Sequence, residues 1–78
     1  MYYVYILKCG DSSLYTGCTK DLKDRIKRHN FGEVETTAKK LPVTIITYTA
    51  FQDKYKAFNF EKYLKSGSGR AFVNKHLI

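Results

Sequence analysis

The sequence predicts an α+β fold, a three-stranded antiparallel-type sheet flanked by helices in the order β-β-α-β-α-α. Three observations point there. Two runs rich in aromatic and β-branched residues, Tyr2–Lys8 and Leu14–Cys18, are separated by the turn formers Gly10, Asp11, Ser12 and Ser13, the signature of an antiparallel hairpin. A third run of the same kind, Val43–Ala50, follows a helical segment. Ala57, Phe60 and Leu64 then recur at helical spacing and make an apolar stripe. Packing a sheet against helices is the simplest way to bury these faces. The 78 residues suffice for one domain, residues 1–78, with a thin core.

Each element has a local reason. Alternation favours a first strand over residues 2–8 and a second over Leu14–Cys18. Thr19 is expected to cap a helix from about Lys20 to Asn30, with Leu22 and Ile26 facing the core. Arg25 and His29, also four apart, share a neighbouring stripe, while Lys20, Lys23, Lys27 and Arg28 cover much of the rest. Gly32 is expected to stop this helix. Residues 33–42 lack periodicity and end in Pro42, so a polar, mobile loop is expected. After the third strand, Asp53 is expected to cap a helix from about Lys54 to Lys65. Ser66-Gly67-Ser68-Gly69 breaks it, and a short basic helix from about Arg70 to His76 closes the chain.

Composition narrows the function classes. A hydrophobic share of 44% with no low-complexity segment does not suit a disordered chain. No apolar run approaches the ~20 residues of a membrane span. The opening Met-Tyr-Tyr-Val-Tyr-Ile-Leu-Lys lacks the basic region and cleavage site of a signal peptide. No membrane partner is therefore expected. Cys9 and Cys18 form neither a disulfide framework nor a Cys-x-x-Cys pair. They read as reduced, packed thiols in the cytoplasm. Fourteen Lys and Arg against seven Asp and Glu give a net charge of +7, which favours a polyanionic partner, nucleic acid first.

A few residues invite chemistry. Glu61 falls on the shoulder of the apolar stripe, on a helix otherwise carrying Lys54, Lys56, Lys62 and Lys65. A carboxylate there needs an ion-pair partner, such as Lys65 at i+4, or a cation. Arg25 and His29 are spaced to reach one phosphate, although a solvated basic helix face gives the same pattern. Tyr5 and Tyr15 lie across the predicted hairpin, where packing is the commonest role of tyrosine. A phenol acting as a base must overcome an ordinary pKa of about 10. Gly17, inside a strand, suggests close approach of a backbone or ligand.

Taken together these residues resemble a known pattern. Val4-Tyr5-Ile6 and, ten residues on, Tyr15-Thr16-Gly17 are similar to the paired signature of the GIY-YIG nuclease family. Arg25, His29 and the segment Arg28-His29-Asn30-Phe31-Gly32 match that family's first helix. Phe60-Glu61-Lys62-Tyr63-Leu64-Lys65 resembles the segment holding its metal-binding glutamate. Lys65-Ser66-Gly67-Ser68-Gly69-Arg70-Ala71-Phe72 resembles small stand-alone bacterial members of the excinuclease-subunit-C-like type. The family's late asparagine is best matched by Asn74. The chain departs from the pattern at Val4, at Thr16, and at Cys18, where several members have a lysine that helps polarise a tyrosine.

The resemblance implies a metal-dependent endonuclease that nicks one DNA strand with structure or low sequence selectivity, using one divalent metal, Mg²⁺ or Mn²⁺. Glu61 would hold the metal. Tyr5 or Tyr15 would orient or deprotonate the attacking water, with the choice between them open. Arg25 would neutralise charge on the phosphate oxygens. His29 would hydrogen-bond the phosphate or relay a proton. Gly17, Lys20, Lys23, Lys27, Arg28, Lys39, Lys40 and Arg70 are the expected DNA contacts, which position a duplex without reading sequence. A partner protein could supply specificity, and the residues do not separate DNA from RNA. The alternative is a non-catalytic, basic nucleic-acid-binding module.

Overall fold

The computed structural model describes residues 1–78, and its frame is the N-terminal hairpin. Strands β1 (Tyr2–Lys8) and β2 (Leu14–Thr19) pair antiparallel, with Tyr5 opposite Gly17 and Leu7 opposite Tyr15. In the turn, the Ser13 backbone N–H donates to Asp11 Oδ1 at 2.9 Å, closing the reversal through a local side chain. Strand β3 (Thr44–Phe51) joins the other side of β1, also antiparallel, so the sheet order is β2-β1-β3.

Central placement changes the reading of β1. Simple alternation leaves every second residue in water, yet Val4, Tyr5, Ile6 and Leu7 are all buried. Val4 and Ile6 pack with Ala57, Leu64 and Val73 of the two C-terminal helices. Tyr5 and Leu7 point to the opposite face, with Cys9 and Val43, bordered by Leu22 and Ile26 of the first helix. A sheet covered on both faces buries a continuous run in its central strand.

Several boundaries differ from expectation. Helix α1 is Leu22–Asn30, and its cap is Asp21, whose carboxylate accepts the Asp24 N–H at 3.0 Å. Thr19, the expected cap, instead ends β2, and its hydroxyl accepts the Asp21 N–H at 3.1 Å. The segment 33–42 is not a plain mobile loop. It contains a one-turn helix, α2 (Glu35–Ala38), in which Thr37 is fully buried. A single turn is too short for periodicity to reveal.

Helix α3 (Lys54–Leu64) starts as expected, with Asp53 accepting the N–H groups of Tyr55 and Lys56. Helix α4 (Gly67–His76) begins at Gly67, three residues before the expected Arg70, with Ser66 as its cap. The two serines and two glycines there make a corner rather than a gap. A Cβ on Gly69 would collide with the Tyr63 carbonyl, so α4 folds tightly back on α3 only because the residue is glycine.

Candidate active site

Tyr5 organises the site. Its ring lies over Gly17 of the neighbouring strand, where a Cβ would overlap the phenol. The close approach that Gly17 permits is therefore that of Tyr5. Gly17 is itself buried, which corrects its expected role as a DNA contact. The Tyr5 hydroxyl lies 3.0 Å from His29 Nε2, and His29 Nδ1 lies 2.7 Å from Thr37 Oγ1. Tyr5, His29 and Thr37 are each fully buried, and no buried side-chain nitrogen or oxygen in the chain lacks a partner.

Tyr15 completes an aromatic group. Its ring centroid is 5.0 Å from that of His29 and 6.3 Å from that of Tyr5. Burial, and then the neighbouring Tyr15, push the Tyr5 phenol up to about 12, although the Arg25 charge works against the rise. Burial, and then Arg25, hold the His29 imidazole below its usual value of 6.5, so it is neutral at pH 7. Both groups resist charge because a charged form loses hydration in this interior.

Two opposite charges flank the phenol. Arg25 comes from α1, over the Tyr5 face of the sheet, and Glu61 from α3, over the other. Both are half-buried, and both charges act on Tyr5 and on Cys18. Burial, and then Glu61, raise the Cys18 thiol, so it stays protonated and adds no charge beside the site.

Glu61 also has the partner its helix offers. Lys65 Nζ sits 3.0 Å from Glu61 Oε2, with the carboxylate side chain 24% exposed and the lysine 55%. Such a half-exposed pair contributes at most about 1 kcal/mol, so a cation or a phosphate can displace it. No three His, Cys, Asp or Glu side chains gather to hold an ion. The donor set is thus one carboxylate beside open water, which suits one hard cation keeping most of its own waters.

The expected nucleic-acid contacts do not form one patch. Arg70, Lys65 and Asn74 line a cleft of about 550 Å³ that also touches Tyr15 and Thr16. Lys20 and Lys23 line a separate groove with Tyr3 and Tyr48. Lys27 and Arg28 are exposed on α1, with Arg28 paired to Asp24 at 2.9 Å. Lys39 is exposed and Lys40 half-buried just past α2. Asn74 and Tyr15, far apart in sequence, thus line one cleft. His29 has both ring nitrogens engaged inside the protein, which corrects the expectation of a direct phosphate contact. Thr37 was missed, because it lies in a segment with no repeating pattern.

Comparison with known proteins agrees with this geometry. The family model described as the GIY-YIG catalytic domain matches residues 1–75. The chain is 47% identical over 66 residues to a UPF0213 protein of Clostridium perfringens, covering 83% of this chain and 71% of that one. It is 43% identical over 65 residues to a UPF0213 protein of Lacticaseibacillus paracasei, covering 82% and 73%. The solution NMR structure of a UPF0213 protein from Bacillus halodurans matches with a TM-score of 0.60 and 35% identity, covering 96% of this chain and 84% of that one. With its paired tyrosine motifs on adjacent strands and the family model spanning nearly its full length, the chain belongs to the GIY-YIG family of nucleases.

Proposed function

We propose that this protein is a metal-dependent endonuclease that hydrolyses DNA phosphodiester bonds, nicking one strand with structure or low sequence selectivity. The observation that carries this reading is convergence. Tyr5, Tyr15, Arg25 and Glu61 come from β1, β2, α1 and α3; the two tyrosine rings lie 6.3 Å apart, and the charges of Arg25 and Glu61 both act on the Tyr5 phenol.

Each residue has a chemical task. GIY-YIG nucleases generally use a divalent metal, and Glu61 would hold it, as Mg²⁺ or Mn²⁺. When bound, such an ion supplies charge neutralisation at the leaving 3′ oxygen. Arg25 offers donors preorganised toward the non-bridging oxygens of a phosphate. The two phenols orient or deprotonate the attacking water. Lys65, Arg70 and Asn74, in the cleft beside Tyr15, hold the neighbouring strand. Lys20, Lys23, Lys27, Arg28, Lys39 and Lys40 add diffuse attraction for the polyanion. The cytoplasm, where thiols stay reduced, suits Cys9 and Cys18, both free.

The test is cleavage of branched, flapped and linear DNA, with RNA in parallel, in Mg²⁺ or Mn²⁺. The parent is expected to nick DNA, and Glu61→Gln to abolish cutting while DNA binding survives. Equal cutting by Glu61→Gln would remove Glu61 from the site. The Glu61–Lys65 pair favours a second reading, a binding module whose carboxylate is merely structural. A parent that binds DNA but cuts nothing with any metal would establish that one.

A further inference from the structure

The sheet face that carries Tyr5 is only partly covered. Helix α1 lays Leu22 and Ile26 against the Tyr5 group and leaves side chains of β3 in water. The register says which ones. Tyr48 pairs with Tyr5 and Ile45 pairs with Leu7, with a bulge between Ile6 and Leu7. Paired residues share a face, so the extra residue in β3 brings Ile45 and Tyr48, three apart in sequence, to the same side. Strict alternation would have put them on opposite sides. Both are large and open to solvent, Ile45 40% and Tyr48 55% exposed. Tyr3 meets Tyr48 edge to face, with ring centroids 5.9 Å apart and planes at 68°.

The two rings and Ile45 line a groove of about 470 Å³ together with Lys20 and Lys23, from the segment that enters α1 and its first turn. Both lysines are exposed, and neither is in an ion pair, since the two pairs in the chain are Arg28–Asp24 and Lys65–Glu61. Lys20 Nζ rests 5.4 Å from the centre of the Tyr2 ring, so it has no anionic partner to give up. Asp21 also lines the groove, and its carboxylate is engaged as the helix cap by the Asp24 N–H at 3.0 Å. The groove shares no lining residue with the cleft beside Tyr15.

We propose that this groove is a second nucleic-acid site that takes one unpaired nucleotide, its base stacked on Tyr48 and its flanking phosphates on Lys20 and Lys23. The proposal rests on nucleic acid being the partner, as in the nuclease reading above, and not on cleavage. An aromatic ring beside free basic side chains is the combination that holds single strands. Every base has a π-face, so the stacking reads no sequence. A base inside a duplex has its faces covered and must leave the stack to be held this way. The groove therefore selects the unpaired arm of a branched substrate over a continuous duplex. A second copy of this chain does not suit the face. An isologous pair would bring the four lysines of two grooves together, on chains that each carry a net charge of +7.

The experiment uses the full chain without metal, so that cleavage does not enter. The probes are a labelled oligothymidylate and a blunt duplex of the same length, followed by fluorescence anisotropy. Tyr48→Ala should weaken oligothymidylate binding about 10-fold, within the range for losing one base–aromatic stack, and leave duplex affinity unchanged. Tyr48→Phe should bind like the parent, since it keeps the ring. Methyl and ring NMR signals of Ile45 and Tyr48 in the parent should shift as oligothymidylate is added. An unchanged oligothymidylate affinity in Tyr48→Ala, equal losses for both probes, or shifts confined to the cleft around Arg70 and Asn74 would overturn the proposal. So would a parent that sediments as a dimer while Tyr48→Ala sediments as a monomer, which would make the face a self-interface. Should Tyr48→Ala not fold, the parent shifts and the Tyr48→Phe affinity still decide it. Cutting in Mg²⁺ or Mn²⁺ is scored apart. A parent that cuts DNA without shifting Ile45 and Tyr48 keeps the nuclease reading and loses the groove. A parent that shifts them and cuts nothing keeps the groove and loses the nuclease.

Discussion

Tyr5 is an ordinary phenol until β1 becomes the central strand and covers it from both sides. Its environment then depends on one neighbour, Gly17, whose missing side chain makes room for the ring. Gly17→Ala should therefore displace the phenol and cost about 1–3 kcal/mol, the range for overpacking a tight site. Urea melts would show the lost stability, and the cutting rate should fall with it. Unchanged values for both would mean the ring is free to move. His29 supplies a pH signature. Its folded-state pKa lies below the 6.5 of an unperturbed imidazole. Above pH 6.5 neither folded nor unfolded chain holds the proton, and the contribution to stability is complete. As pH falls below 6.5 the unfolded chain binds the proton first, so stability declines until the folded-state pKa is passed. Melts at pH 7.5 and 5.5 should show a lower midpoint at the acid value, and His29→Gln should shrink the difference. A parent midpoint that rises on acidification would contradict the buried neutral ring.

At the scale of elements, the helices carry most of the candidate side chains, and each helix start fixes where they land. α1 carries Arg25 and His29, and it is capped by Asp21. Asp21→Ala should cost about 1 kcal/mol, typical of a lost N-cap, and should weaken Arg25 function. Thermal melts and circular dichroism would check this, and a null effect would return the cap to Thr19. The α3 start at Asp53 was legible because a carboxylate precedes a clear apolar stripe. The α1 start was less legible because Thr19 and Asp21 are both good caps, and tertiary pairing of β2 through Thr19 decided between them. α2 was illegible, since one turn leaves no period to read. Its Thr37 contact with His29 spans eight residues of sequence and needs both segments in place.

For the molecule as a whole, charge and fold divide the labour. A net charge of +7 draws the chain to a polyanion, but the structure scatters that charge over two grooves and α1. Binding should weaken steeply with salt. If Arg70 makes one phosphate contact from the cleft beside Tyr15, Arg70→Ala should reduce the slope of log affinity against log salt by about 1. Fluorescence anisotropy over a salt series would measure it, and an unchanged slope would remove Arg70 from the interface. By itself the sequence determined the order of elements, the basic character and the family pattern of Tyr5, Tyr15, Arg25 and Glu61, because these are local or linear properties. Only the tertiary structure decided that Tyr5 is buried and bonded to His29, that Gly17 serves Tyr5, and that Thr37 belongs to the site. Those facts depend on which strand is central and on contacts between distant segments, and they exist only once both faces of the sheet are covered.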